Sequence, residues 1–316
     1  MSSGYEGPFV REDRVRLIGV DWGTSSLRAY LIGDLPEPLD QIESDRGVLS
    51  LGPGEHEGAL AAAIGSWRAK AAEAPILLSG MIGSRQGWRE APYVSCPAGL
   101  KEAAGAILRI ETESLGAVGI VPGVLDADAR GGPDVMRGEE TQIFGALAAL
   151  GRSDGLFVLP GTHSKWAIVK AGRITSFATY MTGETFAALS NHTILGKLMS
   201  GREKDDEGFG AGVRAAAELK KPGELLHAVF MTRTLGLFER LRADQLSDYL
   251  SGLLVGAEIG AALDSGAGPP VVIGAPALAR RYREAGAILG LPIETAPDHC
   301  AALGQRALME ALRGRA

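Results

Sequence analysis

An acidic residue precedes a donor-rich turn near the start of the chain. In "GVDWGTSSLRAYL" an apolar run leads to Asp21, and the turn that follows consists of Gly23, Thr24, Ser25 and Ser26. Successive N–H groups and hydroxyls in such a turn can bind an anion. A carboxylate beside a bound phosphate is a suitable ligand for Mg²⁺, which prefers oxygen. The segment therefore predicts a phosphate site with Asp21 as a metal ligand.

A second segment repeats this pattern in the other half of the chain. When "VDWGTSSLRAYLI" is aligned with "VLPGTHSKWAIVK", the Gly-Thr pair of the first turn coincides with Gly161 and Thr162. The second turn has Leu159 in place of the acid and adds His163 and Lys165. One half would then bind the metal and the other would supply positive charge, which suits phosphoryl transfer. Each turn alone is also compatible with an ordinary β-hairpin.

Alternating strand and helix patterns surround both turns, as in mixed α/β proteins. The first half is expected to contain strands within 16–32, 75–83 and 117–124, a loop at 126–138, and helices at 57–74, 99–109 and 139–150. The second half is expected to open with strands at 155–180 and to continue with helices at 184–200, 224–242 and 246–263, a strand, helix and strand within 269–294, and a terminal helix at 299–312.

The composition is that of a soluble globular protein. The 316 residues are 46% hydrophobic and carry a net charge of −6, and no basic face that would suit nucleic acid is apparent. The apolar runs are too short to span a membrane, and residues 1–14 lack the apolar core of a signal peptide, so a cytoplasmic location is expected. Cys96 and Cys300 show no metal-ligand spacing and are expected to be reduced.

Motifs of several other enzyme classes are missing from the sequence. There is no G-x-x-x-x-G-K-[ST] segment, which argues against a P-loop enzyme, and no G-x-S-x-G elbow. The segment "GFGAGV" follows a charged run rather than a strand, so it is weak as a dinucleotide fingerprint. The five histidines lack the spacing of a catalytic zinc site.

Longer blocks carry a family resemblance. The segments "DWGTSSLRAYL", "SGMIGSRQGWREAPYVSCPA", "MRGEETQIFGAL", "LPGTHSKWA" and "TYMTGE" resemble the 2-dehydro-3-deoxygalactonokinases of the sugar-kinase, Hsp70 and actin superfamily. The resemblance runs from about residue 16 to residue 312. It implies an α/β fold of two duplicated ribonuclease H-like domains, with ATP and Mg²⁺ in the cleft between them. It also implies phosphorylation of 2-dehydro-3-deoxy-D-galactonate at its 6-hydroxyl, in galactonate breakdown.

The resemblance assigns the nucleotide loops. Asp21 to Arg28 would form the first phosphate loop and Gly161 to Lys165 the second. In "VVIGAPAL", Gly274 and Ala275 would let the backbone approach the adenosine. Thr182–Glu184 in "TYMTGE" could reach the nucleotide or the substrate, although Glu184 is equally well explained as an acid at a helix N-terminus.

The resemblance also implies a domain division. The N-terminal domain would span 15–148 and the C-terminal domain 149–316, after a flexible leader at 1–14. The helices at 139–150 and 299–312 would connect the two domains and allow them to close.

A sugar acid needs a fork-shaped cation together with polar and aromatic walls. The segment "GSRQGWREAPY" follows a buried strand and offers six such side chains: Ser84, Arg85, Gln86, Trp88, Arg89 and Tyr93. By themselves these residues are as compatible with a surface loop as with a substrate site, whereas the resemblance favours the substrate. Arg85 is the residue expected to bind the carboxylate.

Two glutamates open the predicted connector helix. A general base should accept the proton of the sugar hydroxyl as the phosphoryl group arrives. Glu139 and Glu140 are the candidates, with Asp134 nearby, although acids are also favoured at a helix N-terminus by its dipole. The sequence does not decide between the two glutamates.

Other functions are left open by the sequence. A phosphatase of the same superfamily would use the same loops, with Glu140 activating water, but would leave the "GSRQGWREAPY" loop without a purpose. A non-enzymatic actin-like or Hsp70-like protein would need polymerisation surfaces or a further domain, and little chain follows the adenosine loop. The stereochemistry of the sugar acid is also open, as is the oligomeric state, with a homodimer as one option.

Overall fold

The computed structural model describes residues 15–129, 131–200, 205–221, 223–263 and 268–314; the predicted leader lies outside these residues. The strands are β1 (Leu17–Trp22), β2 (Leu27–Ile32), β3 (Asp40–Ser44), β4 (Ile76–Ser79), β5 (Tyr93–Ser95), β6 (Ala98–Gly99), β7 (Leu108–Glu111), β8 (Ala117–Ile120), β9 (Gly123–Asp126), β10 (Asp134–Met136), β11 (Gly155–Leu159), β12 (Ser164–Lys170), β13 (Arg173–Tyr180), β14 (Pro270–Val272) and β15 (Glu294–Thr295). The helices are α1 (His56–Lys70), α2 (Leu100–Gly105), α3 (Glu139–Leu150), α4 (Thr182–His192), α5 (Asp206–Ala217), α6 (Glu224–Leu237), α7 (Leu246–Ala262), α8 (Pro276–Ile288) and α9 (Cys300–Arg313).

The two halves contain the same sheet. Five strands of the first half lie in the order β3-β2-β1-β4-β8, and five of the second half in the order β13-β12-β11-β14-β15. In both sheets the first three strands form an antiparallel meander. The fourth strand then runs parallel to the strand that opens the half. This shared order confirms the predicted fold class of two duplicated α/β halves.

The first sheet is stabilised by the amphipathic helix on its outer face. Ile18 and Val20 of β1 pack in one buried cluster with Leu60, Ile64 and Trp67 of α1. Alanine-rich α1 is a strong helix former, and its large apolar side chains recur at helical spacing. The equivalent face of the second sheet is covered by α5, α7 and α8. These packed faces hold both hairpin turns at the ends of rigid strands.

Helices α3 and α9 cross with their backbones in contact. A Cβ atom on Gly145 would lie 1.9 Å from the carbonyl oxygen of Cys300, and one on Gly304 would lie 1.8 Å from that of Thr141. Only glycine fits at this crossing. Farther along α9, the buried amide of Gln305 docks the helix on the first sheet.

A small three-stranded sheet of β10, β9 and β5 joins the two halves. Its carboxylates cap the edge of β13, where Asp126 accepts a bond from the N–H of Phe177 at 3.2 Å and Asp134 accepts one from the N–H of Thr179 at 2.7 Å. Unpaired strand edges need such partners. Asp134, named above as an acid near the base candidates, therefore bonds to the second half.

Some expected elements differ from those observed. The helix expected at 99–109 ends at Gly105, because the chain turns there into the edge strand β7. The expected loop at 126–138 contains β10. None of the described helices is both long and apolar enough to cross a membrane. The cytoplasmic location stays a prediction.

The segment "GFGAGV" lies in α5, a helix that the sequence did not lead us to expect. A Cβ atom on Gly212 would lie 2.0 Å from the carbonyl oxygen of Tyr249, and one on Gly252 of α7 would lie 2.0 Å from that of Phe209. Glycine disfavours helices locally, so its presence conceals the element from sequence patterns. These glycines instead let α5 and α7 pack backbone to backbone.

Candidate active site

The first turn is held from behind by its own half. Gly23 donates its N–H to the carbonyl oxygen of Ser26 at 2.9 Å, which closes the turn. The carbonyl oxygens of Gly23 and Thr24 accept bonds from the short 3₁₀ turn Val48–Ser50, at 3.0 and 3.1 Å. Among the described residues no acceptor takes the N–H groups of Thr24 and Ser25. These groups can receive an anion.

Three backbone segments meet at the Asp21 carboxylate. A Cβ atom on Gly80 would lie 3.3 Å from Asp21 Oδ1 and one on Gly138 would lie 3.9 Å from it, and both glycines have φ values that favour glycine, +92° and +110°. Burial raises the pKa of Asp21 to about 6. The positive charge of Arg28 acts to lower this pKa, and the negative charge of Glu139 acts to raise it. Within the described part of the chain no hydrogen-bond donor reaches this carboxylate.

These properties fit the predicted metal. A half-buried carboxylate whose oxygens accept no hydrogen bond is stabilised by a cation, and Mg²⁺ accepts one or two carboxylates together with water and substrate phosphates. The described residues contain no cluster of three or more His, Cys, Asp or Glu side chains that could hold a metal by themselves. Asp21 would therefore share the ion with a phosphate and water.

Glu140 is closed off inside the protein. It is fully buried, and its two carboxylate oxygens accept hydrogen bonds from the N–H of Gly138 at 2.7 Å and from Thr141 Oγ1 at 2.8 Å. Burial raises its pKa to about 7, and the adjacent Glu139 adds to this. Glu140 thus stabilises the start of α3.

Glu139 interacts electrostatically with charged residues of both turns. Its Oε2 accepts a hydrogen bond from the N–H of Arg137 at 2.9 Å. Burial raises the pKa of Glu139, whereas the charges of Lys165 and His163 on the second turn oppose this. Its own charge acts in turn on Asp21 of the first turn. Glu139 is therefore the glutamate that both turns can approach.

The second turn is backed by the start of α4. The carbonyl oxygen of Thr162 accepts a bond from the N–H of Glu184 at 3.0 Å, and a Cβ atom on Gly183 would lie 2.3 Å from the carbonyl oxygen of Gly161. His163 Nε2 lies 2.6 Å from Glu184 Oε2, at the exposed corner of the turn. The "TYMTGE" segment thus supports the second turn directly.

Lys165 is a buried cation rather than a surface lysine. Its side chain is 6% exposed, and Nζ donates to Val135 O at 2.9 Å and to Thr179 Oγ1 at 2.7 Å. The first of these bonds crosses from the second half to β10. The ammonium group is thus bonded to the strand that precedes Glu139, and its charge lowers the pKa of Glu139.

A cleft of about 530 Å³ lies between the ends of the first predicted phosphate loop and the predicted adenosine loop. Asp21 and Arg28 line it from the first half, Gln142 from α3, and Gly274 and Ala275 from the start of α8. A larger cavity of about 840 Å³ lies at the outer edge of β13, and none of the predicted site residues lines it. The smaller cleft thus brings together part of the predicted nucleotide residues, whereas Glu139 and the residues of the second turn do not line it.

The six predicted sugar-acid residues lie in one loop between β4 and β5. Gln86 and Arg89 are exposed, Ser84 is half-buried, and Tyr93 begins β5. The side chain of Arg85 is 86% exposed and pairs with Glu90 at 2.9 Å. Trp88 stacks on His56, with ring centroids 6.3 Å apart and 9° between planes. Only part of the set thus points to solvent, and their role in binding stays a prediction.

Arg137 is a residue that sequence reasoning missed. Its guanidinium is 8% exposed, donates to Ala91 O at 2.9 Å and lies 4.3 Å from the ring centre of Tyr93. Its Nε and Nη1 are buried and find no partner among the described residues. Arg137 thus ties the sugar-acid loop to the segment that carries Glu139. Its position next to the Gly-Glu-Glu sequence was the available signal.

Glu258 was also missed. It is a single acid in the apolar stretch "LLVGAEIGAAL" of α7, and it is 3% exposed. A lone charge on a helix that is otherwise apolar is the signal that could have identified it, because such a charge is buried only when it is paired or hydrogen-bonded.

Known proteins provide an independent comparison. The family described as 2-keto-3-deoxy-galactonokinase matches residues 21–308. A "Probable 2-dehydro-3-deoxygalactonokinase" of Rhizobium meliloti is 38% identical over 273 residues, 84% of this chain and 87% of that protein. The 2-dehydro-3-deoxygalactonokinase of Escherichia coli is 34% identical over 281 residues, 88% of this chain and 91% of that protein.

Solved structures agree with these relatives. A crystal structure from Sinorhizobium meliloti, assigned to the same activity, has a TM-score of 0.82 and 34% identity, covering 95% of this chain and 99% of that one. The activator of a Clostridium difficile 2-hydroxyisocaproyl-CoA dehydratase has a TM-score of 0.52 at 11% identity, covering 95% and 96%, and supports the fold alone. From its sequence and its structure, this chain belongs to the 2-keto-3-deoxy-galactonokinase family.

Proposed function

We propose that the protein transfers the γ-phosphoryl group of ATP to the 6-hydroxyl of 2-dehydro-3-deoxy-D-galactonate. The observation that carries this proposal is that the segment leading into Glu139 meets both turns: a Cβ atom on Gly138 would lie 3.9 Å from Asp21 Oδ1, and Lys165 Nζ donates to Val135 O at 2.9 Å. Phosphoryl transfer needs an acceptor of the hydroxyl proton and opposite charges placed around the phosphate. The names of the two relatives supply the sugar acid.

Glu139 is the proposed general base. The N–H of Arg137 holds one of its oxygens, which leaves the other free to accept the proton of the hydroxyl. A carboxylate whose pKa is raised by burial is a better proton acceptor than an ordinary one, and burial acts on Glu139 in this direction. Glu140 cannot share this task, because it is fully buried and a substrate hydroxyl cannot reach it.

The two turns are proposed to hold the phosphates from opposite sides. The free N–H groups of Thr24 and Ser25, and the hydroxyls of the first turn, would bind them on one side. Lys165 and His163 would neutralise charge on the other side. When Mg²⁺ is bound with ATP, it supplies further charge neutralisation, and Asp21 would hold it. Gly274 and Ala275 would border the adenosine.

The loop between β4 and β5 is proposed to bind the sugar acid, with Arg85 as the group that meets the carboxylate. Arg85 is free to do so at little cost, because its exposed pair with Glu90 contributes little to stability. Arg85→Ala should raise KM for the sugar acid about tenfold while KM for ATP stays the same. Arg109→Ala, an exposed arginine paired with Glu111, is the control. An unchanged KM for the sugar acid would exclude Arg85 from this role.

Coupled ADP release with Mg-ATP and the sugar acid tests the reaction itself. Turnover should require the sugar acid and should fall to background in Asp21→Ala. Wild-type turnover no higher than that of Asp21→Ala would refute the kinase. Phosphate released without any sugar acid would instead support the superfamily phosphatase.

A substrate panel resolves the stereochemistry. The galactonate and gluconate derivatives differ at one hydroxyl, so kcat/KM for the two C4 epimers is the direct measurement. We expect the galactonate derivative to be preferred. A preference for its epimer would support the kinase reaction but show that the gluconate derivative is the substrate.

A further inference from the structure

Four side chains donate hydrogen bonds to the buried carboxylate of Glu258. Ser164 Oγ lies 2.6 Å and Trp166 Nε1 lies 2.7 Å from its Oε1. Tyr282 OH lies 2.9 and 2.8 Å from the two oxygens, and Thr182 Oγ1 donates to Oε2. No salt bridge to Glu258 occurs among the described residues. Its charge is held by neutral donors alone.

The donors come from three separate parts of the proposed nucleotide site. Ser164 and Trp166 begin β12, directly after the second turn. Thr182 begins α4, whose first residues pack on that turn. Tyr282 lies in α8, the helix that begins directly after the Gly274-Ala275 loop. One carboxylate is therefore bonded to the phosphate turn, to its supporting helix and to the helix of the adenosine loop.

The energetics of this site couple the three parts. Removing a carboxylate from water is costly, and hydrogen bonds must offset that cost. The two oxygens offer about four acceptor positions, which four donors can fill. If one element shifts, it takes its donor away and leaves a buried charge less well solvated. The three elements are thus held in one relative arrangement.

We propose that Glu258 is a positioning residue that sets the second phosphate turn and the adenosine loop at the correct separation for one nucleotide. It does not touch the ligand. The proposal rests on the proposed function only in taking ATP as the ligand of this cleft.

Glu258→Gln is the direct test. The amide keeps the size but replaces an acceptor oxygen with a donor NH₂, which meets donors such as the indole N–H of Trp166. Calorimetry with an ATP analogue and Mg²⁺ should show Kd raised about tenfold or more. KM for the sugar acid should stay within about twofold. Glu218→Gln, an exposed glutamate of the same half, is the matched control and should bind as the wild type does.

Two further variants distinguish positioning from general stability. Tyr282→Phe removes the hydrogen bond that ties the helix of the adenosine loop to Glu258. It should therefore lower the affinity for ATP and leave the affinity for inorganic tripolyphosphate unchanged. Thr182→Val removes the hydrogen bond that ties the helix supporting the second phosphate turn to Glu258. It should therefore lower the affinity for both ligands. These two variants decide the question if Glu258→Gln does not fold. Equal affinities in all folded variants, even with a lowered Tm, would overturn the proposal.

Nucleotide binding also separates this proposal from the proposed reaction. If the wild type binds ATP but does not phosphorylate the sugar acid, the reaction fails and the Glu258 variants are still decisive. If the reaction holds and Glu258→Gln changes KM for both substrates equally, the positioning role fails alone.

Discussion

The two hairpin turns have related sequences and different surroundings. In the first, Trp22 pairs with Leu27, and the turn between them is closed by the bond from Gly23 to Ser26. In the second, Leu159 pairs with Lys165, so the turn is one residue longer than the first. The first carries an acid that accepts no hydrogen bond within the described residues, and the second carries Lys165 and a histidine.

The supports of the turns differ as well. The first turn rests on a short 3₁₀ segment of its own half, whereas the second rests on α4 and, through Ser164, on Glu258. The same type of turn is thus accompanied by a negative charge, Asp21, in one half and by a positive charge, Lys165, in the other. The comparison favours the proposal that the first turn holds the metal and that the second turn neutralises phosphate charge and positions the nucleotide.

Asp21→Asn should have the largest effect on this comparison. It keeps the size of the side chain and removes the charge that would hold Mg²⁺, so kcat should fall about a thousandfold and the Mg²⁺ requirement should rise. Steady-state rates over a range of Mg²⁺ concentrations provide the measurement. Asp45→Asn, an exposed acid of the same half, is the control. An unchanged kcat and Mg²⁺ dependence would mean that the first turn carries no metal.

Glu139→Gln and Glu140→Gln form a matched pair. Glu139→Gln should lower kcat about a hundredfold or more, because it removes the proposed base. Glu140→Gln should change kcat far less, since that side chain is already bonded inside the protein.

The pH dependence of kcat/KM provides a second test of Glu139 as the base. Burial raises the pKa of Glu139 above its usual 4.5, so kcat/KM should begin to fall at a higher pH than an ordinary glutamate would produce. The fall occurs as pH decreases, because a protonated Glu139 cannot accept the proton of the hydroxyl. Equal losses of kcat in the two variants would contradict the assignment of the base.

Lys165→Met tests the charge of the second turn. We expect kcat to fall roughly tenfold, since a buried charged donor is lost. The charge of Lys165 lowers the pKa of Glu139, so the acid limb of kcat/KM should also move to higher pH in the variant. Rate profiles of wild type and variant give both numbers, with Lys170→Met at the exposed end of β12 as control. An acid limb that stays at the same pH, or moves to lower pH, would contradict the interaction of Lys165 with the base.

His163→Asn should have the smallest effect. The pair between His163 and Glu184 is half-exposed, and such pairs contribute little. KM for ATP should rise about two- to threefold, with kcat nearly constant. A loss of kcat as large as that of Lys165→Met would mean that His163 touches the transferred group.

Local chemistry explains which parts of this picture were accessible from the sequence. Glycine, threonine and serine after an apolar strand favour a turn with free donors. Both turns, the α/β order and the helices α3 and α9 could therefore be predicted. Helix α5 could not be predicted, because glycine disfavours a helix locally. Its glycines are required by the close contact with α7, which is not visible in the sequence. Strand β10 was hidden for a similar reason, since it depends on pairing with β9.

The division of roles among acids is decided by tertiary structure. The sequence by itself determined that two phosphate-type turns occur, that only the first carries an acid, and that two glutamates open the connector helix. Which glutamate is fully buried, which groups Lys165 bonds to, and why Arg137 and Glu258 are buried depend on contacts between distant segments. Burial and hydrogen bonding set the charge and direction of a side chain, and neither can be read from its neighbours along the chain.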